Sequence, residues 1–112
     1  MKLMVLILNR VELLDDLLEK FMKEGISGAT ILQSRGMAHQ LFSNASEDPG
    51  FLGSLKALLD PEREENLTIL TVVKDEMVAH AVEVIEDVVG DLKRPDTGIV
   101  FTVPVDFMKG IQ

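Results

Sequence analysis

The chain has 112 residues, enough for one domain with a single core, and 46% of them are hydrophobic. Its formal net charge of −8, with lysines and arginines scattered along the sequence, leaves no basic face for nucleic acid. It has no cysteine, which excludes a disulfide framework, a thiolate metal site and a thiol nucleophile and fits a reducing compartment.

Lys2 to Leu8 is an aliphatic run of strand length without polar alternation, the pattern of a strand buried on both faces. It is too short to span a membrane, and no small-residue cleavage site follows it, so the sequence reads as cytoplasmic without membrane insertion. Asn9 with Glu12 has the form of a capping box. Leu14, Leu17, Leu18, Phe21 and Met22 then keep helical spacing up to Gly25, which suits a left-handed helix end. Gly28 suits a tight turn, and Ala29 to Gly36 reads as a second strand with Ile31 and Leu32 on opposite faces.

From Met37 to Asn66 the turn formers Asp48-Pro49-Gly50 and the charge cluster Glu62-Arg63-Glu64-Glu65 predict a loop of roughly 30 residues. A connection of that length is commonly functional. Inside it Phe51, Leu52, Leu55, Leu58 and Leu59 keep helical spacing, which predicts a short helix stopping before Pro61, either packed on its own core or docking a partner. Leu67 to Val73 is a third strand. Asp75 can cap a second helix, whose stripe is Val78, Ala81, Val82, Ile85, Val88 and Val89 before Gly90. After a polar turn, Gly98 to Pro104 makes a fourth strand, apolar on both faces, and the tail carries Val105, Phe107 and Met108.

Strand, helix, strand, long loop, strand, helix, strand is the ferredoxin-like βαββαβ order. It predicts an α+β fold in one domain, 1–112: a four-stranded antiparallel sheet with both helices on one face. Strands one and four are apolar on both faces, so the face without helices predicts an oligomer.

Three stretches resemble the PII nitrogen-signalling proteins. They are Gly25-Ile26-Ser27-Gly28-Ala29-Thr30 leading to Gly36 and Gln40, Leu67 to Gly90, and Thr97-Gly98-Ile99-Val100-Phe101-Thr102-Val103-Pro104-Val105-Asp106. The resemblance implies a homotrimer that binds ATP, ADP or AMP in clefts between subunits and regulates a partner protein, an enzyme or a membrane transporter, through the loop 37–66. It would place Thr30, Gly36 and Gln40 on one wall of the cleft and Asp96, Thr97 and Gly98 on another. The family's lysine after the glycine turn is Ile99 here, and its two closing arginines fall at Gly110 and Gln112. Lys93 and Arg94, in the same turn, are the substitutes for contacting phosphate. The loop has no tyrosine to carry the modification seen in part of the family. The alternative is a trimeric structural or interaction protein on the same scaffold, without nucleotide binding.

The remaining polar residues point to no chemistry. His80 lies four residues after Glu76 and can pair with it on the helix surface, while Asp15, Asp16 and Glu19 suit the dipole of the first helix. His39 beside Gln40 is too few ligands for a metal. Neither a G-x-S-x-G elbow nor a Walker loop occurs, and no catalytic constellation is predicted.

Overall fold

The computed structural model describes residues 1–44 and 65–110. Its elements are β1 (Lys2–Leu8), α1 (Leu14–Lys23), β2 (Thr30–Ser34), α2 (Met37–Asn44), β3 (Asn66–Val73), α3 (Val78–Val89) and β4 (Gly98–Pro104). Single 3-10 turns, Val11–Leu13 and Asp75–Met77, lead into α1 and α3. The four strands form one antiparallel sheet in the order β2-β3-β1-β4, the ferredoxin-like arrangement expected from the sequence.

The pleat sorts the side chains. Met4, Leu6 and Leu8 of β1 and Ile69 and Val73 of β3 are buried under the helices, against Leu17 and Phe21 of α1 and Ala81, Val84, Ile85 and Val89 of α3. Each fully buried Leu, Ile or Phe in this layer contributes about 1.5–3 kcal/mol of transfer free energy. Val84 joins the stripe of α3 although the spacing did not pick it out, and Val82 is only half-buried. Met22, expected in the stripe of α1, is 69% exposed. The core face of α1 is centred on the i, i+4 pair Leu17 and Phe21, and one residue further the helix has turned about 100°, to its rim.

On the opposite face, three rows cross the sheet: Leu32, Thr68, Ile7 and Ile99; Thr30, Leu70, Val5 and Phe101; Val72, Leu3 and Val103. These rows are almost wholly apolar, and at the β4 edge Ile99, Phe101 and Val103 remain 55%, 45% and 44% exposed. Strands one and four thus carry apolar residues on both faces, and α1 and α3 lie on only one of them.

Several local expectations are corrected. The capping box at Asn9 and Glu12 does not form: the Asn9 N–H donates to the Thr97 carbonyl at 3.2 Å, and Glu12 pairs with Arg10 at 3.4 Å. Asp75 does not cap α3 through its side chain, because its carboxylate takes the N-terminal ammonium at 2.8 Å. Gly25 does end α1 in the left-handed region, at φ 89°, and Gly90 ends α3 at φ 92°. β2 is two residues shorter at its far end than Ala29 to Gly36 suggested, and β3 starts one residue earlier, at Asn66.

The connection between β2 and β3 opens as a helix, α2, where loop was expected. Met37, Ala38, Gln40 and Leu41 are good helix formers, and the Gln40 N–H closes the first turn on the Gly36 carbonyl at 3.0 Å. The helix expected over Phe51 to Leu59 and the charge cluster at 62–64 lie outside the described residues.

Of the described glycines, Gly98 leaves the least room for a side chain. A Cβ there would sit 2.5 Å from the Ile7 carbonyl oxygen, at φ 155°. Gly98→Ala is therefore expected to destabilise the fold by at least about 1 kcal/mol, read as a lower midpoint in urea unfolding.

Candidate functional site

The residues singled out by sequence fall into two groups, which, apart from Thr30 at the start of β2, lie at one end of the sheet. The strand register puts Gln33, Leu67, Leu8 and Gly98 in one row, so the C-terminal end of β2 and the N-terminal end of β4 lie at the same end. They occupy opposite edges, separated by β3 and β1. With neighbouring strands about 4.8 Å apart, the two edges stand roughly 14 Å apart within one chain.

The first group follows the β2 edge, from Thr30 at the start of the strand to Gly36 and Gln40 beyond its exit. Thr30 is exposed on the uncovered face, beside Leu70. Ser34 bonds across the ladder, its Oγ donating to Asn66 Oδ1 at 2.5 Å and meeting Thr68 Oγ1 at 2.7 Å. Gly36 then turns the chain into α2 with open space beside it, since a Cβ there would meet only Asn66 Nδ2, at 3.8 Å. The Arg35 guanidinium reaches over this turn and donates from Nη1 to Gln40 Oε1 at 2.9 Å. Thr30, Gly36 and Gln40 thus share one edge, and their polar neighbours Ser34, Arg35, Asn66 and Thr68 were not picked out by sequence. Only the register of β2 on β3 reveals the Ser34, Asn66 and Thr68 cluster; Arg35, adjacent to Gly36, was legible as a cation beside a glycine turn.

The second group is the turn between α3 and β4. The Asp91 side chain accepts from the Lys93 N–H at 2.9 Å, its carbonyl accepts from the Arg94 N–H at 3.0 Å, and Glu86 takes the Leu92 N–H at 3.0 Å. Lys93 and Arg94 project from this turn and are exposed. Asp96 takes a left-handed conformation, φ 61°, that few non-glycine residues adopt outside tight turns. Thr97 is buried, and its carbonyl holds the start of the β1 to α1 connection through Asn9.

Elsewhere the surface is structural. His80 pairs not with Glu76 but with Glu24 of α1, Nε2 to Oε2 at 2.9 Å, and stands 3.8 Å from Glu83 through Nδ1. The packing of α1 on α3 brings the end of one helix beside the start of the other, which helical spacing alone does not show. Lys20 and Asp87 tie the same helices at 3.1 Å, Asp15 and Asp16 are exposed, and Glu19 pairs with Lys23 at 3.3 Å. A cleft of about 490 Å³ at the other end of the sheet runs between Gly25, Ser27 and Gly28 on one side and Lys74, Glu76 and Met77 on the other. None of the residues in the two groups lines it. Among the described residues no cluster of three His, Asp or Glu side chains could hold a metal ion, and no helix is long and apolar enough to cross a membrane.

The architecture defines a ferredoxin-like α+β domain with an apolar sheet face and its two groups of polar turn residues on opposite edges. The family model of nitrogen regulatory protein P-II matches residues 1–112, the whole chain, and the chain belongs to that family of regulatory proteins. A search of curated proteins finds no match.

The hydrogen bond from the N-terminal ammonium holds the Asp75 carboxyl below the usual carboxylate value, against the opposing effect of desolvation and with further help from the charges of the ammonium and of Lys2. A depressed folded value means that the pair stabilises the fold above the ordinary carboxylate pKa and that this is lost as pH falls through the folded value. Asp75→Asn is expected to be less stable than wild type at pH 7, and the two should converge in acid. Urea unfolding measured from pH 7 down to pH 2.5 checks this.

Proposed function

We propose that this chain is a PII-like trimeric regulator that acts in the cytoplasm, senses an adenine nucleotide in clefts between subunits and signals to a partner protein, an enzyme or a membrane transporter, through the connection 37–66. The observation that carries this reading is the placement of the two groups on opposite edges of a sheet whose free face is apolar. In this reading other copies of the chain cover that face, because a surface of contiguous leucine, isoleucine, valine and phenylalanine is costly in water. A cyclic arrangement that turns the apolar faces inward also brings the β2 edge of one copy toward the β4 edge of the next. Thr30, Gly36 and Gln40 of one subunit would then face Asp96, Thr97 and Gly98 of its neighbour, with Lys93 and Arg94 directed at the phosphates.

A second reading is favoured by one specific feature. Ile99, in place of the family's lysine, is a half-exposed apolar side chain on the uncovered face, which suits a trimeric scaffold or interaction protein without a nucleotide. Each charged contact to phosphate that is lost removes about 1.5–3 kcal/mol, so nucleotide affinity is expected to be modest.

Oligomeric state and ligand binding test the proposal. Native mass spectrometry of the wild type should give three times the chain mass. Phe101→Asp, which places a charge in the middle of the apolar face, should yield a folded monomer by circular dichroism and light scattering; a wild-type monomer would remove the basis for intersubunit clefts. Thermal scans with ATP, ADP and AMP, with and without magnesium, should raise the melting temperature with at least one of them. Lys93→Ala with Arg94→Ala should weaken that response and leave the trimer intact. No shift with any adenine nucleotide at millimolar concentration would decide for the scaffold reading.

A further inference from the structure

Resting on the nucleotide-sensing reading, we propose that Arg35 is the principal phosphate-binding cation of the cleft and that Gln40 is its positioning residue. A ligand carrying several phosphates needs a cation at the wall it meets, and guanidinium is suited to it because its fixed fork of five donors can bond two phosphate oxygens at once. The described cations at this end of the sheet are few. Arg10, just beyond β1, is engaged with Glu12 at 3.4 Å. Lys93 and Arg94 stand on an exposed turn at the other edge. Arg35 stands directly between Ser34, the last residue of β2, and Gly36, on the same edge as Thr30 and Gln40.

Its placement is also held. The bond from Nη1 to Gln40 Oε1 at 2.9 Å spans the Gly36 turn and fixes the guanidinium over a backbone that has no side chain of its own. That bond uses one donor and leaves the rest of the fork to the solvent side, because the Arg35 side chain is exposed. Holding a long side chain in one place before the ligand arrives lowers the entropy cost of binding it. Lys93 and Arg94 have their backbone N–H groups tied into the Asp91 turn, which fixes the turn rather than the charged ends. Arg35 is thus the preorganised cation, and the lysine and arginine of the neighbouring copy add to it.

Isothermal calorimetry with ADP on the full chain tests this, comparing wild type, Arg35→Gln, and Lys93→Ala with Arg94→Ala at two salt concentrations. Arg35 is exposed, so its replacement is expected to leave the melting temperature and the trimer mass of the unliganded protein unchanged. The expected result is a roughly ten- to hundredfold loss of ADP affinity in Arg35→Gln, a larger loss than in the double variant, and a shallower dependence of affinity on salt. Unchanged affinity in Arg35→Gln with wild-type binding intact overturns the role of Arg35 while leaving the nucleotide reading standing. A loss with the salt dependence unchanged overturns it too, since that would be a structural effect rather than a missing charge. A wild type that binds no ADP overturns both.

Discussion

Everything in this domain depends on a sheet whose two faces are both apolar while its helices cover only one. α1 and α3 close over Met4, Leu6, Leu8, Ile69 and Val73 and account for the core of the single chain. The reverse face, with Leu3, Val5, Ile7, Leu70 and Phe101 in adjoining rows, is built from equally apolar side chains, and neither α1 nor α3 lies on it. Hydrophobic burial is non-directional, so the same force that seats the helices draws other apolar surfaces onto this face. An antiparallel sheet with one solvated face normally alternates apolar and polar residues; here that alternation is missing from β1 and weak in β4.

The sheet order separates the two polar groups. β2 and β4 are the two edges, and each delivers its polar turn at the same end of the sheet. Within one chain those turns are held apart by two strands. The rigidity of that spacing comes from the ladders of β1 with β3 and β4, and from Gly98, where only a hydrogen can pass the Ile7 carbonyl. α2 starts directly after the Gly36 turn and shares Gln40 with it, so whatever engages Arg35 and Gln40 also touches the first turn of the connection 37–66.

The polar pairs on the surface have a lesser part. Lys20 with Asp87 and His80 with Glu24 both join α1 to α3, and exposed pairs of this kind contribute typically 0.2–1 kcal/mol each. They orient two helices that the core already holds. Asp75 with the N-terminal ammonium anchors the first residue beside the start of α3, while the Met1 carbonyl takes the Val105 N–H at 3.2 Å. The start of β1 and the finish of β4, which lie side by side, are thereby fixed.

The βαββαβ order, the strands and helices apart from α2, the glycine ends at Gly25 and Gly90 and the excess of apolar residues in β1 and β4 were all legible in the sequence. Periodicity and glycine punctuation are local, and these elements obey local rules. What required the tertiary structure was every choice between competing partners. Asn9 and Glu12 have the residues of a capping box, yet the Thr97 carbonyl and Arg10 claim them; Asp75 could cap a helix, yet a full positive charge is the stronger partner; His80 could reach Glu76, yet helix packing offers Glu24. The same holds for the site. Thr30, Gly36, Gln40, Asp96, Thr97 and Gly98 could be named one by one from sequence, but that they sit in two groups on opposite edges follows from the pairing of β3 with β1, a contact between residues 59 to 71 positions apart. Spacing along the chain carries no information about such a contact until the register is set, because the pleat assigns each side chain to a face only in relation to the strand beside it.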